Sequence, residues 1–197
     1  MTFERARLKV LWAEHGDVFL FFIVLVGTHF VWKYSVVGNE NESVIMLFNT
    51  YDISEPCNRM ACFVAKVCER LMHLFGADIR LYPDNFMLFP NGNGTHIVWG
   101  CTGVKQSVIF LCIMLFSRGL WQRKLWFIPI GIVLCLGINV VRICLINAVV
   151  ETHPEWFHVL HAYVFKYLYY GLIFLMWMWW TERLSGYKRS STIIVPE

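Results

Sequence analysis

The chain has 197 residues, 57% hydrophobic and 16% charged, with a formal net charge of +3. Apolar runs of spanning length in that composition exclude an ordinary soluble domain and indicate a single integral membrane domain over residues 1–197. The seven cysteines contain no Cys-x-x-Cys pair, which argues against a thioredoxin-type redox motif and a zinc knuckle.

Arg5, Arg7 and Lys9 precede an apolar run, as in a signal peptide. No small-residue cleavage site follows, and the run, about Val18–Val37, is of full spanning length, so it reads as a retained anchor. Residues 38–97 form an outward-facing segment. Within it Ser54-Glu-Pro56 has the form of a helix start. Ala61, Val64, Cys68, Leu71 and Phe75 then recur at three- or four-residue steps until Gly76, with Lys66, Glu69, Arg70 and His73 on the other face. That pattern predicts an amphipathic helix lying on the membrane or against the bundle. Ile79–Tyr82, Phe86–Phe89 and His96–Trp99, split by Pro- and Gly-rich turns, read as short strands that deliver the chain to Cys101. Asn93-Gly-Thr95 fits a glycosylation sequon, but in so Gly- and Asn-rich a turn it is read as coincidence.

Three more apolar runs follow, about Val98–Phe116, Leu125–Val150 and Leu160–Trp180. The first of these reaches spanning length only if its helix includes the stretch from Gly100 to Gln106. The predicted fold is therefore an all-α membrane protein: a polytopic bundle of about four transmembrane helices with an outer amphipathic helix and a small β-hairpin before Cys101. Lys and Arg crowd the N-terminal tail, the 116–124 loop (Arg118, Arg123, Lys124) and the 181–197 tail (Arg183, Lys188, Arg189), whereas Glu151–Val159 has none. The positive-inside rule then puts both termini in the cytoplasm, in an inner or plasma membrane, with residues 38–97 outside.

Arg142 is the only charge in the third run, with Asn139 one turn before it on the same face. An arginine within hydrocarbon costs at least ~2.5 kcal/mol, so it needs protein or water around it. The topology brings Cys101, Arg142, and either His158 or His161 to one depth near the outer surface, from three different helices. A thiolate to attack a carbonyl, an imidazole to move the proton and a fixed cation to hold the oxyanion are what thiol-based acyl transfer requires. Gly100 and Gly103 flank Cys101 and would let a substrate backbone approach, and Lys105 lies at the helix start that follows. Cys112, Cys135 and Cys144, within spans, read as small core hydrophobes. Cys57, Cys62 and Cys68 on the outer helix are packed in the same way or joined by disulfides. Two other readings stay open. His158-x-x-His161 with Cys101 could ligate zinc, against which the Arg142 charge argues. Alternatively the outer segment serves a non-enzymatic scaffold. No motif requires a cofactor, and nothing points to nucleic acid.

The hairpin leading into Cys101-Thr-Gly103, the Asn139-Val-Val-Arg-Ile143 stretch and a following span that opens with histidine together resemble the exosortase/archaeosortase family, over roughly Tyr82 to Glu182. That family is regarded as polytopic cysteine transpeptidases acting on C-terminal sorting signals of exported proteins. The resemblance implies Cys101 as nucleophile, Arg142 as the family arginine and His161, with His158 as alternative, as the family histidine. It also implies a substrate contact surface around Gly100, Thr102, Gly103, Lys105 and Asn139, exported proteins as partners in the bilayer, and no metal. Typical members have more spans, so this chain looks like a compact, core-only branch of the Bacteroidetes type. Phe165 stands where the family pattern has a glycine four residues after the histidine.

Overall fold

The computed structural model describes residues 2–38 and 44–186, and the side chains of 16–38 and 44–186. Arg5, Arg7, Lys9, Lys188 and Arg189, on which the orientation partly rests, lie outside the described side chains, as does most of the 181–197 tail.

Helix α1 (Thr2–Ser35) carries an apolar portion, Gly16–Ser35, long enough to cross a bilayer. Three two-residue strands follow, β1 (Val36–Val37), β2 (Met46–Leu47) and β3 (Tyr51–Asp52), in an antiparallel sheet that the sequence pattern does not signal. Strands this short have no alternation to read. Helix α2 (Ser54–Leu74) is the predicted amphipathic helix. Its cap position is held by Ile53 rather than Ser54; Asp52 instead accepts the Ser54 N–H at 2.8 Å and hydroxyl at 2.5 Å, which holds its carboxyl below the usual range. Ala61, Val64, Ala65, Cys68 and Met72 are its buried stripe. Phe75 is 81% exposed, because the helix ends at Leu74 and the positive φ of Gly76 (82°) turns the chain away.

A second antiparallel sheet, β4 (Arg80–Tyr82), β5 (Phe86–Leu88) and β6 (Gly94–His96), pairs Leu81 with Met87 and Met87 with Thr95. The first two strands fall where the sequence put them; the third, expected over His96–Trp99, lies earlier at Gly94–His96, and Trp99 belongs to a short 3₁₀ turn, Trp99–Cys101. Helix α3 (Val104–Phe116), helix α4 (Trp121–Val150) and a last helix, α5 (Pro154–Leu184), complete the chain.

Among the described residues three helices are long and apolar enough to span a membrane, and the fourth predicted apolar run is shorter. The correction concerns α3. Gly103, at φ +82°, stops the helix from continuing back through Gly100, and leaves 13 residues, about 20 Å long against a hydrocarbon core of about 30 Å. Short as it is, α3 is the centre of one core, in which Phe110 and Ile113 meet Phe21 of α1, Phe127 of α4 and Ile173 and Trp177 of α5. A separate core lies toward the other end of α4, where Val64, Cys68 and Met72 of α2 pack with Met87, Ile97 and Ile143. The seven cysteines are free thiols, so Cys57, Cys62 and Cys68 form no disulfide.

The basic residues of the α3–α4 connection are tied into the fold. Arg118 pairs with Asp17 at 3.4 Å, and Arg123 donates to the Leu184 carbonyl at 3.0 Å. Lys124 is buried; its Nζ donates to the carbonyls of Leu115 (3.2 Å) and Ser117 (2.5 Å) at the C-terminus of α3, where a cation is favoured. Replacing Lys124 with Met keeps the stem and deletes the donor. This should cost about 1–3 kcal/mol, read as a lower unfolding temperature in detergent; an unchanged melt would show that these carbonyls find other donors.

Candidate active site

One face of α4 guides the chain down to the site. The Asn91 and Asn93 amides both donate to the Glu151 carbonyl, at 2.7 and 2.9 Å, which commits the Asn93 side chain to the fold and not to a sequon. One turn along, the Thr95 hydroxyl donates to Asn147 Oδ1 at 2.9 Å. Two turns further, Asn139 Nδ2 donates to the Cys101 carbonyl at 2.6 Å. Positions 151, 147 and 139 are separated by multiples of four and share a face. The strand-to-turn segment thus descends α4 by about 18 Å, and places Cys101 well inside the bundle.

The turn is fixed from several sides. Cys101 N–H donates to Val98 O at 2.9 Å, and Thr102 gives both its N–H (3.1 Å) and its hydroxyl (2.7 Å) to Trp99 O. Backbone without helix or sheet survives at this depth only when it is served within the protein or lines a wet cavity. Gly103 is packed so tightly that a Cβ on it would lie 2.9 Å from Asn139 Cβ.

Cys101 Sγ stands 3.8 Å from His161 Nε2. The His161 ring stacks on Phe157 at 5.4 Å between centroids and 13° between planes, which fixes its orientation. His161 lies in a π-helical turn, Leu160–Val164, a wider winding often found at functional positions. His158 is exposed, with its ring against Tyr163. Of the two histidines, His161 is the one that reaches the thiol. The alternative zinc set of Cys101, His158 and His161 is not assembled, and no group of three potential ligands is found among the described residues.

Arg142 is 8% exposed and approaches Asn139 Oδ1 with Nη1 at 3.5 Å, so Asn139 links the arginine to the Cys101 turn. Arg142 and His161 both line a cavity of about 920 Å³ between α1, α2, α3 and α5. Gly100 and Thr102, on either side of Cys101, and Lys105 line it too. Asn139 is fully buried behind the turn and takes no part in the lining. Its amide serves the Cys101 backbone, and Gly103 packs on it. The cavity also takes His29, Cys57, Trp99, Gln106, Lys166 and Tyr170, none of which sequence reasoning singled out as site residues. Burial holds the Cys57 thiol above its ordinary range. Lys166 carried a usable signal, a charge inside an apolar span; His29 and Tyr170 carried none.

Residues 43–181 match the family model Transmembrane exosortase, which takes in Cys101, Arg142, His161 and all of α2 to α4. The chain belongs to the transmembrane exosortase family. No curated protein matches it, and no solved structure does. Membership makes this exosortase an integral membrane protein of a family of membrane cysteine transpeptidases that act on substrate proteins with sorting signals.

Gly103→Ala should destabilise this exosortase by about 1–3 kcal/mol through its left-handed φ alone, with the Asn139 collision in addition. Thermal unfolding measures it; a melt equal to wild type would mean that the turn is loosely held.

Proposed function

We propose that the chain is a cysteine peptidase or transpeptidase that cleaves C-terminal sorting signals of exported proteins, with Cys101 as nucleophile, His161 as acid and base, and Arg142 as the oxyanion donor. The observation that carries this reading is the thiol–imidazole approach of 3.8 Å beside a cavity that also admits the Arg142 side chain. Contacts between catalytic groups are often long without substrate and tighten when it binds.

In the proposed cycle His161 takes the Cys101 proton and the thiolate attacks the scissile carbonyl carbon. The carbonyl oxygen becomes an oxyanion facing the Arg142 guanidinium. The tetrahedral centre collapses, the C–N bond breaks, and the amine leaves with the proton from His161. The remaining thioester is attacked by an amine or by water, His161 takes that nucleophile's proton, and its return to sulfur regenerates the thiol. Gly100, Thr102 and Lys105, on the wall next to Cys101, would contact the peptide. Asn139 would act through Cys101 and Arg142, by holding the turn and the guanidinium in register. The proposed setting is the outer face of an inner or plasma membrane with both termini in the cytoplasm, because the basic loop residues lie at the opposite end of the bundle from the thiol.

Processing can be followed by mass spectrometry of the C-terminal peptides of membrane proteins from expressing cells. Cys101→Ala and His161→Ala should leave the protein inserted and lower processing by at least ~10³-fold, whereas His158→Ala should process within about twofold of wild type. Normal processing by Cys101→Ala would sink the mechanism and favour a scaffold. Arg142→Lys should also fail, by ~10²-fold or more, because a point charge does not reproduce the planar fork. Full turnover in that variant would mean that only charge matters at that position.

A further inference from the structure

Helices α1 and α5 touch at one end and part at the other. Phe21 of α1 meets the rings of Phe174 and Trp177 at 5.2 and 4.8 Å between centroids. Beyond that contact the cavity lies between them, with Trp32 and Lys33 of α1 on one wall and Lys166 and Tyr170 of α5 on the other. Lys33 and Lys166 are both exposed, and both sit in helices long and apolar enough to cross a bilayer. Lys33, Lys105 and Lys166, from three helices, line this one cavity together with His29.

Lysines in a membrane-spanning helix are costly and rarely face hydrocarbon. A basic pocket between spans is the arrangement that holds an anionic lipid head group, with Trp and Tyr at head-group level beside it. We propose that the α1–α5 end of the cavity is a phosphate-binding site, and that the phosphate is that of a phospholipid whose acyl chains enter between the two helices. The phosphate would sit between Lys33 and Lys166, near His29, on the side of the cavity away from Asn139. The site does not depend on the acyl-transfer reading, since it uses neither Cys101 nor His161, and Cys101→Ala should keep it.

The test uses purified full-length protein in nanodiscs. One set contains phosphatidylglycerol and a matched set contains a phosphate-free galactosyl diacylglycerol. Retained lipid is counted by native mass spectrometry after release. Wild type should hold one phosphatidylglycerol and no galactolipid. Lys33→Gln with Lys166→Gln should retain at least tenfold less, the corresponding Arg pair should retain it, and Lys66→Gln, on the exposed face of α2, should behave as wild type. If the Gln pair fails to fold, Lys166→Gln alone is read, with a loss of at least threefold expected. Retention by the Gln variant equal to wild type, or equal retention of the galactolipid, overturns the site. A thermal shift with inorganic phosphate forms the second arm. Stabilisation that depends on the two lysines, without lipid retention, would overturn the lipid assignment and leave a site for a soluble phosphate. No retention and no shift would overturn both.

Discussion

The hydrogen bond from Asn139 to the Cys101 carbonyl is the contact on which the site depends. It joins a span to the short 3₁₀ turn that carries Cys101. Asn139 can make it because both ends of its amide are used, the nitrogen on Cys101 and the oxygen toward Arg142. In a low-dielectric interior, an amide used at one end only would cost free energy of the order that the bond contributes. The two motifs of the chain, Cys-Thr-Gly and Asn-Val-Val-Arg, are therefore halves of one structure. The glycine of the first exists to admit the asparagine of the second.

The fold supplies this contact by keeping two cores apart. The α3-centred core fixes the helices at the end where Lys124 closes α3. The α2 core fixes the sheet against the other end of α4. The site lies at the seam, where α5 is held by its aromatic far end and approaches the thiol through His161. Close packing is found on both sides of the seam and a cavity within it, as binding sites between helices usually require.

Much of this was legible in the sequence. The amphipathic helix, the three long spans, the first two strands before Cys101 and the burial of Arg142 followed from periodicity and from the cost of a charge in hydrocarbon. What escaped did so for identifiable reasons. The length of α3 turned on the backbone angle of Gly103, and composition does not reveal φ. The approach of His161 rather than His158 to the thiol turned on which side of α5 meets the Cys101 turn, and hydropathy does not mark that. Phe75 fitted the apolar stripe by spacing, but spacing stops having meaning where the helix ends. Asn139 was visible as a polar residue near Arg142. That it faces the Cys101 backbone rather than the cavity is a matter of rotation about α4 that only packing decides.

The shortness of α3 has an electrical consequence. Below the Cys101 turn the apolar depth is about 20 Å, the length of α3, whereas an undisturbed bilayer presents about 30 Å. A cavity lined by Lys105, Arg142 and Lys166 is polar enough to admit water, which would carry the potential of the bulk phase inward. With water there, the membrane voltage would drop over a path of about 20 Å rather than about 30 Å, and the field beneath the thiol would be steeper by about half. The charged groups of the cavity stand on the aqueous side of that drop, and moving a substrate charge to Cys101 crosses little of the voltage.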